Sequence, residues 1–194
     1  MPLGKLIVFS APSGSGKTSI VRYLLKQKEL ALAFSVSATS RKKRGTEQHG
    51  IDYYFISKNE FKKYINDNAF AEWEEVYKDN FYGTLKKEIS RIREQGKNIV
   101  FDIDVIGGLN IKKLYPEDTL AIFVKPPSIE ELRKRLYGRK TDSEERIKER
   151  LAKATKELAY QDEFDIILIN DDLEEAQNKA YELVDKFVNS KKEE

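Results

Sequence analysis

The chain has no cysteine and a single histidine, His49, among its 194 residues. Without cysteine there is no disulfide and no thiolate metal or redox chemistry. With one histidine, a Ser-His-Asp relay and a multi-histidine metal site both fall away. Long apolar runs are missing too. None is longer than Leu120 to Val124, which is far short of the ~18 residues that a membrane span needs. Leu6-Ile7-Val8-Phe9, near the amino terminus, is too short for the apolar segment of a secretory signal. Nor does one sign of charge dominate: 35 Lys and Arg stand against 33 Asp and Glu, a net charge of +2. That balance gives no global attraction to nucleic acid or membrane, so any anion site has to be local. The expectation is a cytoplasmic protein with neither kind of partner.

What is present suits one well-filled domain. Hydrophobic residues make up 40% of the chain and charged ones 35%, but the apolar residues are grouped into short runs, as in a folded, heavily solvated protein. Lys5 to Phe9, Asn98 to Phe101, Leu120 to Val124 and Ile166 to Ile169 read as strands. They lack polar alternation, the pattern of parallel strands covered on both faces. Between them, Gly16 to Gln27 carries Ile20, Val21, Leu24 and Leu25 on one helical stripe, and Leu85 to Gln95 follows a similar period before Gly96 ends it. Ser57 with Glu60, and Ser128 with Glu131, match capping boxes that start helices near 58 and 129; Asp172 with Glu175 starts the last helix. Strand-helix alternation predicts an α/β fold, a parallel sheet flanked by helices. Two stretches read as insertions on that core. Residues 35–83 hold short aromatic pieces such as Tyr53-Tyr54-Phe55-Ile56, which suggest a partly antiparallel excursion. Residues 133–150 carry eight Lys or Arg and two helical pieces around Gly138.

Ala11-Pro12-Ser13-Gly14-Ser15-Gly16-Lys17-Thr18 lies directly between the first strand and the first helix. Gly-Lys-Ser/Thr at that junction is the Walker A arrangement of P-loop NTPases. Its glycines let successive N–H groups turn inward around a phosphate, and the helix that follows adds its positive end. Lys17 then reaches the β- and γ-phosphates of a nucleoside triphosphate, and the Thr18 hydroxyl ligates Mg²⁺. Ala11 stands where the strict pattern has glycine, a mild departure. Ile99-Val100-Phe101-Asp102 is an apolar strand ending in a carboxylate, as a Walker B strand does, which marks Asp102 as a second metal-side residue.

A phosphate loop alone does not name a reaction. Asp104-Val105-Ile106-Gly107 fits the Asp-x-x-Gly pattern of GTPases, but Asn178-Lys179-Ala180-Tyr181 lacks the acid that reads guanine in such proteins, and Gly108 stands where their water-orienting glutamine follows. A kinase instead needs a second anion site. Arg41-Lys42-Lys43-Arg44 with Tyr53 and Tyr82 offers guanidinium forks and phenols for a monophosphate, and Glu72 offers a carboxylate for a purine edge. The basic 133–150 stretch is a candidate lid. Taken alone, the basic cluster also reads as a solvated turn, the tyrosines as strand-face aromatics, and Asn170 with Asp171 as caps of the last helix.

The blocks APSGSGKT, FSVSATSR, HGIDYYF, FAEW, NFYGT, FDID, PPS, KRLYGR, DSEER and NDDL, in this order over residues 4–187, resemble the guanylate kinase family. The resemblance implies a core (about 1–34, 84–125 and 156–194), a GMP-binding region (about 35–83) and a lid (about 126–155). It implies ATP and GMP as substrates, with dGMP as a further candidate acceptor, Mg²⁺ as cofactor, and a monomer or small homo-oligomer. Arg41, Arg44, Tyr53 and Tyr82 match phosphate ligands of GMP. Glu72 and Thr84 match base readers, and Ser37, Gly83 and Asp104 stand at matching site positions. Arg135, Arg139 and Arg150 match arginines on the ATP phosphates that act in transfer with Lys17 and Arg41, and Asn170 matches a position near adenine. Lys43, Thr46 and Ile106 depart from the family's usual Pro, Gly and Gln. The resemblance also admits a rival, a catalytically silent phosphopeptide-binding module, but that fate implies an eroded phosphate loop.

Overall fold

The structure, a computed structural model, describes residues 3–138 and 143–190. In chain order its strands are β1 (Leu6–Ser10), β2 (Leu32–Phe34), β3 (Ala38–Thr39), β4 (Tyr54–Phe55), β5 (Phe70–Tyr77), β6 (Asn80–Leu85), β7 (Asn98–Asp102), β8 (Thr119–Lys125) and β9 (Ile166–Ile169). The helices are α1 (Lys17–Leu24), α2 (Lys58–Asn66), α3 (Lys86–Glu94), α4 (Val105–Leu114), α5 (Ile129–Gly138), α6 (Glu144–Leu158) and α7 (Leu173–Asn189).

The main sheet has the order β2-β7-β1-β8-β9 and is parallel throughout. Its central strands read as unbroken apolar runs because helices cover both faces. Ile7, Phe9, Val100 and Ile122 pack with Ile20 and Leu24 of α1 and Ala180 and Val184 of α7. Leu6, Val8, Ile99 and Phe101 pack on the other face with Ile89 and Ile92 of α3 and Ile111 of α4. β9 departs from this pattern. Among the described residues it pairs only with β8; within the strand Leu168 alone is buried, and Ile167 and Ile169 are 38% and 59% exposed. The sequence reading of a doubly covered strand at 166–169 is therefore corrected: this is an edge strand with one open face. The opposite edge strand, β2, is three residues long, too short to register as an apolar run. The first helix stops at Leu24 instead of reaching Gln27.

α4 was not anticipated, because Gly107-Gly108 lowers helix propensity. Asp104 caps it through Gly107 N at 2.9 Å. A Cβ on Gly108 would lie 2.4 Å from Ser10 Oγ, so the glycine is what lets α4 approach β1. That close approach places the start of α4 beside the loop that follows β1.

The 35–83 excursion is the expected small sheet, ordered β4-β3-β6-β5, with antiparallel β3–β6 and β5–β6 pairs and a parallel β3–β4 pair. It has its own core of Ala38, Phe61, Phe70, Phe81 and Leu85. Phe61, on α2, stacks on Phe70 at 4.3 Å and on Phe81 at 5.4 Å between ring centroids. The Ser57–Glu60 capping box is formed in full, while Ser128 Oγ accepts from Glu131 N at 3.0 Å. α5 and α6 enclose a separate cluster of Leu132, Leu136, Ile147 and Ala154.

Because the small sheet's core is separate from the main one, Phe61→Ala should weaken it selectively. Denaturant unfolding should show a loss of about 3–5 kcal/mol. Hydrogen exchange should place that loss in β3, β5 and β6 while β1, β7 and β8 stay protected.

Candidate active site

Ala11 to Gly16 turns from β1 into α1, and the turn depends on Gly14 (φ 103°) and Gly16 (φ 89°) in left-handed conformations that other residues rarely adopt. All eight residues from Ala11 to Thr18 line one cavity of about 370 Å³, together with Asp102, Asp104, Arg150, Lys153 and Glu157. The N-terminal N–H groups of α1 begin at this cavity, which favours an anion there. The methyl of Ala11 is buried in the hydrophobic cluster below the loop, so the departure from glycine is accommodated by packing.

Asn170 is 2% exposed, and its Nδ2 donates to Ser15 O at 2.6 Å. A Cβ on Gly16 would lie 2.2 Å from that nitrogen, a second reason for glycine at this position. Asn170 thus braces the loop, while the cap of α7 is Asp172, whose Oδ1 accepts from Glu175 N at 2.9 Å. Arg135 donates to the carbonyls of Asn170 at 2.9 Å and Asp171 at 3.1 Å and does not line the phosphate cavity. Arg150 does line it, and donates to Ser13 Oγ at 2.6 Å. Arg139 lies outside the described residues.

The β1–β7 register sets Phe9 opposite Asp102 and so brings the end of β7 beside the loop. Lys17 Nζ lies 2.9 Å from Asp102 Oδ1 and donates to Ile103 O at 2.5 Å, and Thr18 Oγ1 donates to Asp102 Oδ2 at 2.7 Å. One hydroxyl and one carboxylate are hard oxygen donors. Among the described residues no group of three or more His, Cys, Asp or Glu is arranged to hold a metal. So sparse a set suits a hard divalent cation that takes its remaining oxygens from bound phosphate and water.

A second cavity, of about 220 Å³, is lined by the expected Ser37, Tyr53, Glu72, Tyr82, Gly83 and Asp104, and by Glu74, Val76 and Lys153, which the sequence did not single out. It shares Asp102, Ile103, Asp104 and Lys153 with the first. Glu72 is buried on β5, and burial raises its pKa to about 7; the hydrogen bond from Thr84 opposes the shift and the nearby Asp104 charge reinforces it. Thr84 is fully buried and donates to Glu72 Oε1 at 2.5 Å, so its hydroxyl proton faces the acid and not the open cavity. Gly83 is a close-approach position: a Cβ there would lie 2.7 Å from Glu72 O.

Arg41 does not line the cavity but stands behind it. Its Nε donates to Tyr82 OH at 3.0 Å, and its guanidinium lies 4.9 Å from the Tyr53 ring centroid. Both terminal nitrogens fork onto Glu47 at 2.6 Å, which holds the Glu47 carboxyl down at about 2. Arg44 is exposed; its backbone N donates to Glu47 Oε2 at 2.8 Å, and its side chain does not line the cavity. Glu47, Glu74, Lys153 and Glu157 were missed. For two of them a signal existed: once Arg150 faces the cleft, Lys153 and Glu157 share its helix face at i+3 and i+7.

The shift of Glu72 has a definite sign. Its folded pKa lies above the ordinary 4.5, so its contribution to stability is complete below about pH 4.5 and is lost as pH rises through about 7. Glu72→Gln, which cannot ionise, should exceed the parent by roughly 2–3 kcal/mol at pH 8, with the gap closing toward pH 4.5. Denaturant unfolding at the two pH values checks this.

Comparison with known proteins agrees with the geometry. The sequence pattern of the guanylate kinase family matches residues 3–187. A guanylate kinase of Bacteroides thetaiotaomicron is 56% identical over 186 residues, covering 96% of this chain and 91% of that protein. One from Fusobacterium nucleatum is 43% identical and covers 97% of this chain and 100% of its own length. The crystal structure of guanylate kinase from Anaplasma phagocytophilum superposes with a TM-score of 0.75 at 28% identity, over 98% of this chain and 89% of that one. A phosphate loop braced by Asn170, a buried acid in the adjoining cavity and a family match over nearly the whole length lead to one assignment: the chain belongs to the guanylate kinase family.

Proposed function

We propose that the protein transfers the γ-phosphoryl group of ATP to GMP, giving ADP and GDP, in cytoplasmic purine nucleotide metabolism, as a monomer or small homo-oligomer. The observation that carries this reading is the buried Glu72 in a cavity that shares a wall with the phosphate-loop cavity. Guanine presents N1–H and a 2-amino group side by side, and one ionised carboxylate accepts from both. Adenine has an acceptor at N1 and no 2-amino group, so it would leave the buried acid without partners.

In this reading ATP places its phosphates in the Ala11–Thr18 loop, and Lys17 exchanges Asp102 for phosphate oxygens. Thr18 and Asp102 would hold Mg²⁺, which would supply positive charge against that of the phosphates. Asn170 keeps the loop in shape from below. The GMP phosphate takes the Arg41 fork from Glu47, with Tyr53 and Tyr82 as phenol donors and Arg44 turning inward from solvent. Ser37, Gly83 and Asp104 shape the wall around the base, and Thr84 orients Glu72.

The acceptor oxygen is already anionic near pH 7, so no general base is needed. The γ-phosphorus bonds to that oxygen as its bond to the bridging oxygen breaks, and the electron pair leaves with ADP. The rate comes from alignment and charge neutralisation by Lys17, Arg41 and Arg150, joined by Arg135 and Arg139 once the 126–155 lid and the 35–83 GMP-binding region close over the core and exclude water. The intact Gly16, Lys17 and Thr18 favour this over a silent phosphopeptide-binding module.

An ADP-release assay across GMP, dGMP, AMP, CMP and UMP should favour GMP over AMP by up to about 10⁴-fold; preference for AMP would overturn the assignment. Lys17→Ala should abolish turnover and leave the fold intact. Glu72→Gln should raise the KM for GMP while that for ATP stays unchanged. Since binding needs the ionised acid and burial places Glu72 at about 7, the KM for GMP should fall as pH rises from about 6 to about 8.

A further inference from the structure

Between the two cavities lies a cation that nothing above uses. Asp102, Ile103, Asp104 and Lys153 line both, so among the described residues Lys153 is the one cation common to the two; Lys17 and Arg150 line only the phosphate-loop side. Its position is fixed by α6. One turn earlier on the same face Arg150 donates to Ser13 Oγ at 2.6 Å, and one turn later Glu157 lies 3.7 Å away. Ile147, Leu151 and Ala154 turn the other way, into the cluster shared with α5. The helix therefore cannot rotate Lys153 off the cleft without exposing that cluster.

The carboxylates facing the ammonium are Glu157 on its own helix and Glu74 across the cleft, with Asp104 nearby on the shared wall. No described residue accepts a hydrogen bond from it, and the side chain is 56% exposed. Lys17, by contrast, is tied to Asp102 and Ile103, and Arg150 to Ser13. Lys153 is thus a cation held only by the 3.7 Å ion pair to Glu157, over the one place both cavities share.

We propose that Lys153 is a further catalytic residue, whose ammonium hydrogen-bonds an equatorial oxygen of the phosphoryl group while it passes between the nucleotides. This rests on the reading of the protein as an ATP:GMP phosphotransferase. In transit the phosphoryl group spreads its charge over three equatorial oxygens, and a cation aimed there acts only in the transition state. Lys17 and the arginines grip the nucleotides at either end before and after transfer; Lys153 faces the middle.

The test is steady-state kinetics of Lys153→Gln and Lys153→Arg beside the parent, with ATP and GMP each varied and thermal unfolding measured on all three. The Gln variant should lose about 10- to 100-fold in kcat, with both KM values within about twofold of the parent. The Arg variant should recover most of the loss, and the unfolding temperatures should agree, since the side chain is largely solvated. An unchanged kcat in the Gln variant, a loss carried by either KM, or a loss that tracks a lowered unfolding temperature in both variants would overturn the proposal. A parent protein that does not phosphorylate GMP would instead defeat the underlying reading, so the two failures are told apart.

Discussion

The parallel register of β1 against β7, with Phe9 opposite Asp102, is the constraint on which the site depends. It delivers three consecutive residues to the edge where the phosphate loop begins. Asp102 receives Lys17 and Thr18, the Ile103 carbonyl receives Lys17 a second time, and Asp104 caps α4 while facing both cavities. A slip of one residue would turn Ile99 and Phe101 onto the wrong face and carry Asp102 away from the loop. Because both faces of these strands are buried, that slip is forbidden by packing, and the hydrophobic core fixes the site's geometry.

The cations lining the cleft and standing behind it are mostly partnered within the molecule. Lys17 is on Asp102, Arg41 on Glu47, and Arg150 on Ser13. Each internal partner offers oxygen where a phosphate would offer oxygen. An anionic ligand can therefore replace it without leaving a cation desolvated and alone, whereas a neutral ligand cannot. Glu72 follows the opposite logic. Burial makes ionisation costly, so the acid gains most from a ligand that brings two donors at once. In the proposed reading, anion exchange at one end and donor recognition at the other are what would select a guanine nucleotide.

The packing also separates the regions around the cleft. The Phe61 cluster under the small sheet and the Leu132–Ile147 cluster between α5 and α6 are distinct from the two cores of the main sheet. Regions with their own cores can shift as units, which supports closure around bound nucleotides. α6 complicates a simple boundary near residue 155, since it runs unbroken to Leu158, which packs on the main core.

By itself the sequence determined the phosphate loop, the central strands and the helix starts, because each is encoded within a few neighbouring residues: two glycines where φ is positive, apolar runs, Ser and Asp three residues before Glu. The family blocks added the expectation of which residues hold the acceptor. Only the tertiary structure decided that β9 is an open edge, that Asn170 braces the loop, that Thr84 donates to Glu72 and that Arg41 rests on Glu47. Lys153 belongs to this second group. On a line of sequence it is one charge among many on α6, and its place between two cavities exists only once strands some fifty residues and more away have been folded against that helix. Local chemistry is written in short motifs; partnership across the fold depends on which surfaces packing brings together, and no short window contains that information.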